Sequence, residues 1–434
     1  MNIRFYNARI LTMKEPIEIR NGELWVKDKE IVYVGDGSDK DEVLRTMGPS
    51  YSFERELDCK GNVLMPGFKD AHTHTAMTLM RSHADDMPLN DWLNQQIFPI
   101  EANMGYEEVY QFTKLGVLEY LTSGITAAMD MYLDPQAIFD AFTECGFRNV
   151  QVSGINKFGP TLEVMEERYN KFNGVNDLSS YMLGFHAEYT CEKELLQGIS
   201  EMAHKYKAPV YTHGSETKAE VQGCIDRYGM TPTEFCDSLG LFDFGGGIYH
   251  GCHVTQKDMD IFLNRGLYEV TNPGSNTKLA SGIAPVSLYR KRGIPIAIGT
   301  DGPASNNALD FFREMFLVTG LAKLRDGDAA STDALEVLKM ATVNGAKCMH
   351  LNDCETLSVG QKADLIMIDM HQPNMQPIHN IPKNIVYSGS KQNVKLTMIN
   401  GKILYEDGEF FVGCDVEKLY ETCSKIIDKM GVRG

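Results

Sequence analysis

The sequence has no long apolar run and no cluster of basic residues. No window of about 18 apolar residues occurs, and the opening segment MNIRFYNARILTMKE contains no apolar core followed by a cleavage site. We therefore expect neither a membrane span nor a signal peptide. The formal net charge of −17, without a Lys/Arg cluster, argues against nucleic acid or an anionic membrane as a partner. These features together favour a cytoplasmic protein.

The cysteines lack the spacing of a structural or metal-binding framework. There are ten of them, with no CxxC pair and no regular repeat. In a chain of 434 residues this pattern is typical of reduced cytosolic thiols, and it argues against a disulfide scaffold or a zinc site made of thiolates.

The two ends of the chain share one pattern. Residues 1–60 and 355–434 contain short stretches that alternate apolar and polar residues, with turn dipeptides such as the NG and DG of VKLTMINGKILYEDGEFF. This pattern predicts antiparallel strands and hairpins. We predict that both ends build one small β-sandwich domain, closed by a helix in CDVEKLYETCSKIIDKM, where apolar residues recur at helical spacing.

The middle of the chain, residues 61–354, has a different pattern. Amphipathic helical stretches separate eight β-rich runs: NVLMPGFKDAHTH, GITAAMDM, NVQVSGIN, YMLGFHAEY, APVYTHGSE, GGGIYHGCH, YEVTNPG and IPIAIGTDG. Open doubly wound sheets usually have fewer strands, so eight alternating units favour a (β/α)8 barrel of the TIM type. The predicted class is therefore α/β, with a barrel domain and the smaller β domain.

Polar side chains end several of these runs. The reactive groups of a barrel enzyme lie at the carboxyl ends of its strands. The residues in these places are His72 and His74 in the first run, His186 in the fourth, His213 with Glu216 in the fifth, His250 and His253 in the sixth, and Asp301 in the eighth.

The first run suggests a metal site. Residues i and i+2 of a strand point to the same side, so His72 and His74 can bind one ion together. An isolated HxH pair could equally be two solvent-facing loop histidines. A third imidazole at His213 and a carboxylate at Asp301, on other strand ends, favour a divalent metal, and three nitrogens with one oxygen suit zinc or iron(II).

Glu216 and Asp301 each have both a chemical and a structural interpretation. Glu216 can hold a proton beside the substrate, or stabilise a helix N-terminus. Asp301 follows an apolar run in which a bare charge would be costly, and it can also cap the next helix. His250 and His253 face opposite sides of their run, so we expect only His250 in the pocket, while His83 lies in a loop that could border it.

Blocks spread over nearly the whole chain resemble the amidohydrolase superfamily. PGFKDAHTHTAMTLMRSHADDMPLNDWL, HGSE, NPGSNTKLASGIAPV and IGTDGPASNN are similar to the strand-end blocks of its branch of S-adenosylhomocysteine and methylthioadenosine deaminases and triazine hydrolases. The resemblance implies one divalent metal, most closely zinc with iron(II) as the alternative, bound by His72, His74, His213 and Asp301. His186 stands where binuclear relatives have a carboxylated lysine, which favours one metal over two.

The same resemblance implies the remaining roles. Asp301 would also accept a proton from metal-bound water, Glu216 would protonate the ring nitrogen, and His250 would orient the hydroxide. Glu101 and His186 would contact a nucleoside substrate. The implied reaction is attack of a metal-bound hydroxide on an amino-substituted ring carbon, with release of ammonia, in an enzyme that is often an oligomer.

The substrate itself stays open at this point. Deaminases of this branch carry arginines after the third strand, and Ser153 and Thr161 stand near those positions here, so a carboxylate-bearing substrate is less expected. The alternatives are a triazine-type hydrolase with another leaving group, a deaminase of guanine-like or pterin-like bases, and a catalytically silent assembly protein.

Overall fold

The computed structural model describes residues 1–432 of the chain. Its strands are β1 (Asn2–Leu11), β2 (Ile19–Lys27), β3 (Glu30–Gly35), β4 (Arg55–Asp58), β5 (Val63–Pro66), β6 (Phe68–Thr73), β7 (Ile125–Asp130), β8 (Arg148–Val152), β9 (Ser179–Ala187), β10 (Val210–Gly214), β11 (Gly246–His250), β12 (Leu267–Thr271), β13 (Ile296–Ile298), β14 (Leu365–Ile368), β15 (Val394–Ile399), β16 (Lys402–Glu406) and β17 (Glu409–Phe410).

The α-helices lie mainly between the central strands. They are α1 (Lys40–Met47), α2 (Leu89–Asp91), α3 (Phe98–Glu101), α4 (Tyr106–Thr122), α5 (Pro135–Cys145), α6 (Leu162–Phe172), α7 (Lys193–Tyr206), α8 (Lys218–Tyr228), α9 (Pro232–Ser238), α10 (Gln256–Arg265), α11 (Pro273–Lys278), α12 (Val286–Arg292), α13 (Phe311–Asp326), α14 (Ala334–Lys339), α15 (Gly345–Cys348), α16 (Ile381–Lys383) and α17 (Val416–Met430).

Strands β6 to β13 form a parallel sheet in which each strand pairs with its neighbour in sequence. The ends of this sheet meet, because Thr73 and Asp301 form a parallel bridge and the Asp301 N–H donates to the His72 carbonyl at 3.0 Å. The predicted (β/α)8 barrel is confirmed. Its first and last strands are therefore adjacent, which places His72 beside Asp301.

The barrel strands are apolar on both faces because helices cover the outside. Every residue of β7 is buried, for example. Residues such as Met129, Val150 and Val270 fill the barrel interior together, while Ile248 and Ile298 belong to the core shared with the helices. Continuous burial of this kind is what a parallel sheet requires.

A second sheet joins both ends of the chain. Its nine strands run in the order β17-β16-β15-β14-β5-β1-β2-β3, with β4 paired to β1. Strand β5 lies beyond residue 60 and pairs antiparallel with β14, and a single residue, Gly67, separates it from barrel strand β6. The sheet built from both chain ends matches the predicted small β domain. The predicted domain boundaries, after residue 60 and after residue 354, stay predictions.

Among the helices of residues 1–432, none has the length and apolar character that crossing a bilayer needs.

One barrel carboxyl group is buried without a partner. Glu269 on β12 is fully buried, and neither of its carboxylate oxygens has a hydrogen-bond partner within residues 1–432. Burial raises the pKa of Glu269 well above the ordinary value, so the fold favours the neutral acid. The resulting destabilisation is absent below the pKa of a free Glu and grows as the pH rises from there toward the raised pKa of the folded state.

Replacing Glu269 by Gln should remove this pH dependence. We expect Glu269→Gln to raise the free energy of unfolding at pH 8 by more than about 1 kcal/mol, and by much less at pH 5, because one unit of pKa shift corresponds to about 1.4 kcal/mol. Urea denaturation at both pH values measures this, with the exposed Glu201→Gln as control. An equal difference at both pH values would show that folding does not shift the pKa of Glu269.

Candidate functional site

Four buried side chains from separate barrel strands converge at one point. His72 lies near the end of β6, His213 on β10, His250 at the end of β11 and Asp301 just after β13. One ligand atom from each lies within 4.8 Å of all the others. The carboxyl ends of parallel strands share one edge of the barrel, which brings together residues that are far apart in sequence.

Two of these residues have an unusual backbone conformation. The φ angles are 77° at His250 and 57° at Asp301, in the left-handed region that side-chain-bearing residues rarely adopt. Such strain persists where the surrounding structure fixes it, often at functional sites. At Asp301, the backbone N–H donates to the His72 carbonyl. The contact that closes the barrel therefore also fixes the strained backbone of Asp301.

Contacts of the Nδ1 atoms orient two of the histidine rings. The Nδ1 of His74 contacts the Met131 carbonyl, and the Nδ1 of His213 contacts the His186 carbonyl at 2.6 Å. Such carbonyl contacts leave Nε2 of a ligand histidine available to a metal. His74 is part of the same group, because its ring centroid lies 4.8 Å from that of His72.

His72 itself points to a bound cation. Its ring stacks on Tyr249 at 3.7 Å, and in the described chain neither of its two buried ring nitrogens has a hydrogen-bond partner. Buried polar atoms are rarely left without a partner. A metal ion at the centre of the cluster would satisfy one of these nitrogens.

The carboxylate of Asp301 has two different sides. Its Oδ1 lies 3.5 Å from His72 Nε2 and 3.1 Å from His74 Nε2. Its Oδ2 accepts hydrogen bonds from the hydroxyls of Ser275 at 2.6 Å and Ser305 at 2.7 Å. The serines thus fix the carboxylate with Oδ1 turned toward the imidazoles.

The charges of the cluster fit a divalent metal. Burial lowers the pKa of His72 to about 3 and, with the neighbouring imidazoles, that of His213 well below its ordinary value. Both rings are thus neutral at pH 7, the form that binds metals. Burial also acts against protonation of His74, but the carboxylate of Asp301 has the larger effect and raises the pKa of His74 to about 9. The site between His74 and Asp301 therefore favours a positive charge.

A second carboxyl group lies next to the cluster. Glu216 Oε1 accepts a hydrogen bond from the Ser281 hydroxyl at 2.7 Å, and its Oε2 lies 3.9 Å from His250 Nε2. The Nδ1 of His250 contacts Asn276 Oδ1 at 2.8 Å. Glu216 and His250 are therefore held side by side, each by a neutral polar side chain that sequence reasoning did not identify.

The turn that carries Glu216 depends on Glu220. The carboxylate of this half-buried residue accepts hydrogen bonds from the backbone N–H groups of Ser215 at 2.9 Å and Glu216 at 2.7 Å, and it completes a capping box with Thr217 at the start of α8. The TKAE segment is the sequence signature of such a box and could have identified Glu220. Ser281 and Asn276 have no comparable local signature.

A cavity of about 290 Å³ opens above the cluster. Its walls include both residues predicted to bind substrate, Glu101 and His186. Burial raises the pKa of Glu101 to about 6, against a hydrogen bond from Tyr132 that lowers it. His186 contacts the Thr190 hydroxyl at 3.0 Å through Nδ1.

The other predicted positions divide into two groups. Ser153 lines the cavity, whereas Thr161 lies at the start of α6 and is exposed. His253 contacts the Ser281 carbonyl at 2.7 Å and lies outside the residues that line the cavity, as does the half-buried His83. Of the pair in YHGCH, His250 is therefore the residue that reaches the cavity.

The sequence is similar to a known protein family and to characterised relatives. The family model described as the amidohydrolase family matches residues 63–404. A 5-methylthioadenosine/S-adenosylhomocysteine deaminase from Thermoanaerobacter pseudethanolicus is 36% identical, with 98% of each chain covered.

Solved structures agree with the fold. An adenosine deaminase from Xanthomonas campestris with bound zinc is 29% identical, with a TM-score of 0.92 over 100% of this chain and 98% of that one. An atrazine chlorohydrolase from Arthrobacter aurescens TC1 complexed with zinc has a TM-score of 0.88 over 98% of this chain and 100% of that one, and at 20% identity it bears on the fold alone.

Proposed function

Because the chain belongs to the amidohydrolase family, we propose that it is a metal-dependent aminohydrolase of an adenosine-like nucleoside or a related amino-heterocycle. The reaction replaces the amino group on a ring carbon by oxygen from water and releases ammonia. The small-molecule substrate and water are its reaction partners. The deaminase relatives and the cluster of three imidazoles and a carboxylate support this function.

We propose that one zinc ion per chain is held by His72, His74, His213 and Asp301. The unpartnered nitrogens of His72 and the fixed Oδ2 of Asp301 support this assignment, and the zinc bound to the similar adenosine deaminase favours that metal. When bound, such a cation lowers the pKa of a coordinated water toward neutrality and polarises the reacting group. The convergence of His250 with His72, His213 and Asp301 makes His250 the alternative fourth ligand to His74.

The protein side chains move the protons. Asp301 accepts a proton from the attacking water, because its carboxylate is ionised and fixed by two serine hydroxyls. His250 orients that water, since its Nδ1 is held by Asn276 and its Nε2 points toward Glu216. Glu216 delivers a proton to the ring nitrogen beside the attacked carbon. The proton that Asp301 accepted passes to the amino group, so that the carbon–nitrogen bond breaks and ammonia leaves, and the hydroxyl proton of the added oxygen returns to Glu216.

Glu101 and His186 orient the substrate above these groups. Both line the cavity, and the carboxyl group of Glu101 can accept hydrogen bonds from ribose hydroxyls. The observation that carries the proposal is the position of Glu216 Oε2, 3.9 Å from His250 Nε2 at the edge of the four-residue cluster. A proton donor beside a water-activating centre is what hydrolytic deamination requires.

An ammonia-release screen tests the proposed function. We expect the zinc-loaded protein to release ammonia from at least one of methylthioadenosine, S-adenosylhomocysteine, 5′-deoxyadenosine and adenosine, and to leave a product one mass unit heavier. Release from guanine, pterins or aminotriazines alone would reassign the substrate class. No release from any compound, with zinc confirmed by elemental analysis, would contradict the deaminase function and leave the metal site unaffected.

We also propose that the protein acts in the cytoplasm. Nine of its ten cysteines are buried, one is half-buried, and all ten are free thiols, a state that a reducing compartment preserves.

A further inference from the structure

One cation lies in the wall of the substrate cavity without a charged partner. Arg168 is half-buried on α6 and lines the cavity. Within residues 1–432 no carboxylate lies close enough to form an ion pair with it. The neighbouring acid Glu166 pairs instead with Lys205 and Tyr206. The guanidinium charge is therefore uncompensated at a surface that faces the ligand.

A buried tyrosine lies next to Arg168. Tyr181 and Ser153 line the cavity together with Arg168. Burial raises the pKa of Tyr181, and the nearby charge of Arg168 acts against that rise. The Tyr181 ring is 2% exposed and stacks on Phe172. A buried, neutral phenol therefore lies beside the guanidinium, and it leaves the charge of Arg168 unneutralised.

The carboxylates of the cavity wall are Glu101, Asp134, Glu216 and Asp301. The imidazole of His74, which also lines the cavity, pairs with Asp301. Within residues 1–432, Arg168 is therefore the cavity-lining cation that no carboxylate pairs with. A substrate with a negative group can satisfy that cation only in one orientation.

We propose that Arg168 binds an anionic group on the substituent of the substrate, and so selects substrates that carry one. The inference rests on the proposed function, because it assumes that the reacting ring lies at the metal cluster. A guanidinium binds carboxylate or phosphate through paired, charge-assisted hydrogen bonds. Because Ser153 and Thr161 stand where related deaminases carry arginines, the sequence predicted no arginine that contacts the substituent. Helix α6 supplies one at a later position, Arg168.

The preference should be measured as a ratio of specificities. The substrates are S-adenosylhomocysteine, which carries a carboxylate, adenosine 5′-monophosphate, which carries a phosphate, and methylthioadenosine, which carries neither. For Arg168→Gln we expect kcat/KM for an anionic substrate, relative to methylthioadenosine, to fall about 10- to 100-fold, mostly through KM, because a charged hydrogen bond is lost. Arg168→Lys should recover part of the loss.

The matched control is Lys171→Gln, which removes an exposed cation from the same helix and should leave the ratio unchanged. A fall confined to S-adenosylhomocysteine identifies a carboxylate, and one confined to adenosine 5′-monophosphate a phosphate. An unchanged ratio for both anions in Arg168→Gln would overturn the proposal.

Calorimetry separates this inference from the proposed function. We expect wild type to bind an anionic ligand more tightly than methylthioadenosine, and Arg168→Gln to lose that difference. If wild type releases no ammonia but shows this binding pattern, the proposed reaction fails and the role of Arg168 stands. If ammonia is released and the Kd values of wild type and variant change in parallel for all three ligands, the role of Arg168 fails.

Discussion

His72→Ala is expected to lose the bound metal and, with it, the release of ammonia. The imidazole lies at the centre of the cluster, 3.5 Å from Asp301, with buried nitrogens that no described protein group satisfies. Removing a group that merely supports a ligand already costs about 10- to 100-fold in metal affinity. Loss of a ligand itself should cost more than about 100-fold, so the purified variant should contain little metal.

Elemental analysis and the ammonia assay on the same preparation measure this result. The control is His204→Ala, because His204 on α7 is not among the residues that line the cavity and contacts Asp243 instead. Circular dichroism checks that both variants are folded. Full activity of His72→Ala without metal would remove the basis of the proposed mechanism.

Glu216→Gln is expected to lose most of its turnover while keeping the metal. The amide can still accept the hydrogen bond from Ser281, so the local structure should hold, but it cannot deliver a proton. Loss of a general acid typically costs about 10²- to 10⁴-fold in rate, and we expect kcat to fall within this range. Substrate binding should change far less.

The rate of ammonia release and the metal content test this prediction together. Glu201→Gln, an exposed substitution on α7, serves as the control for an unspecific loss of charge. A variant that loses its metal would show that Glu216 is a ligand and not an acid. A variant with unchanged kcat would show that another group supplies the proton.

The barrel could be predicted from the sequence because its signals are local. Each strand is a short apolar run, and the runs recur between amphipathic helices. His72, His213 and Asp301 could be predicted as neighbours for a related reason, since the carboxyl ends of barrel strands always meet at one edge.

Other features depend on contacts between distant segments and have no local signal. Ser281 holds Glu216 and Asn276 holds His250, but only the packed barrel brings them together. Arg168 looks like an ordinary surface residue of an amphipathic helix, and its position in the cavity follows from the packing of α6 against Tyr181.

The spacing of residues in the sequence also does not identify the fourth metal ligand. The HxH pattern favours His74, whereas the distances also bring His250 within reach of the same point. Metal content of His74→Ala and His250→Ala, measured side by side, distinguishes the two.

A zinc titration of the metal-free protein tests the central claim most directly. The rate of ammonia release from the best substrate of the screen is followed as zinc is added, for wild type and for His72→Ala. We predict that the wild-type rate rises in proportion to zinc and reaches a plateau at one equivalent per chain, and that His72→Ala shows no rise over the same range. Activity of the metal-free protein, or a plateau at two equivalents, would contradict a single metal centre held by His72.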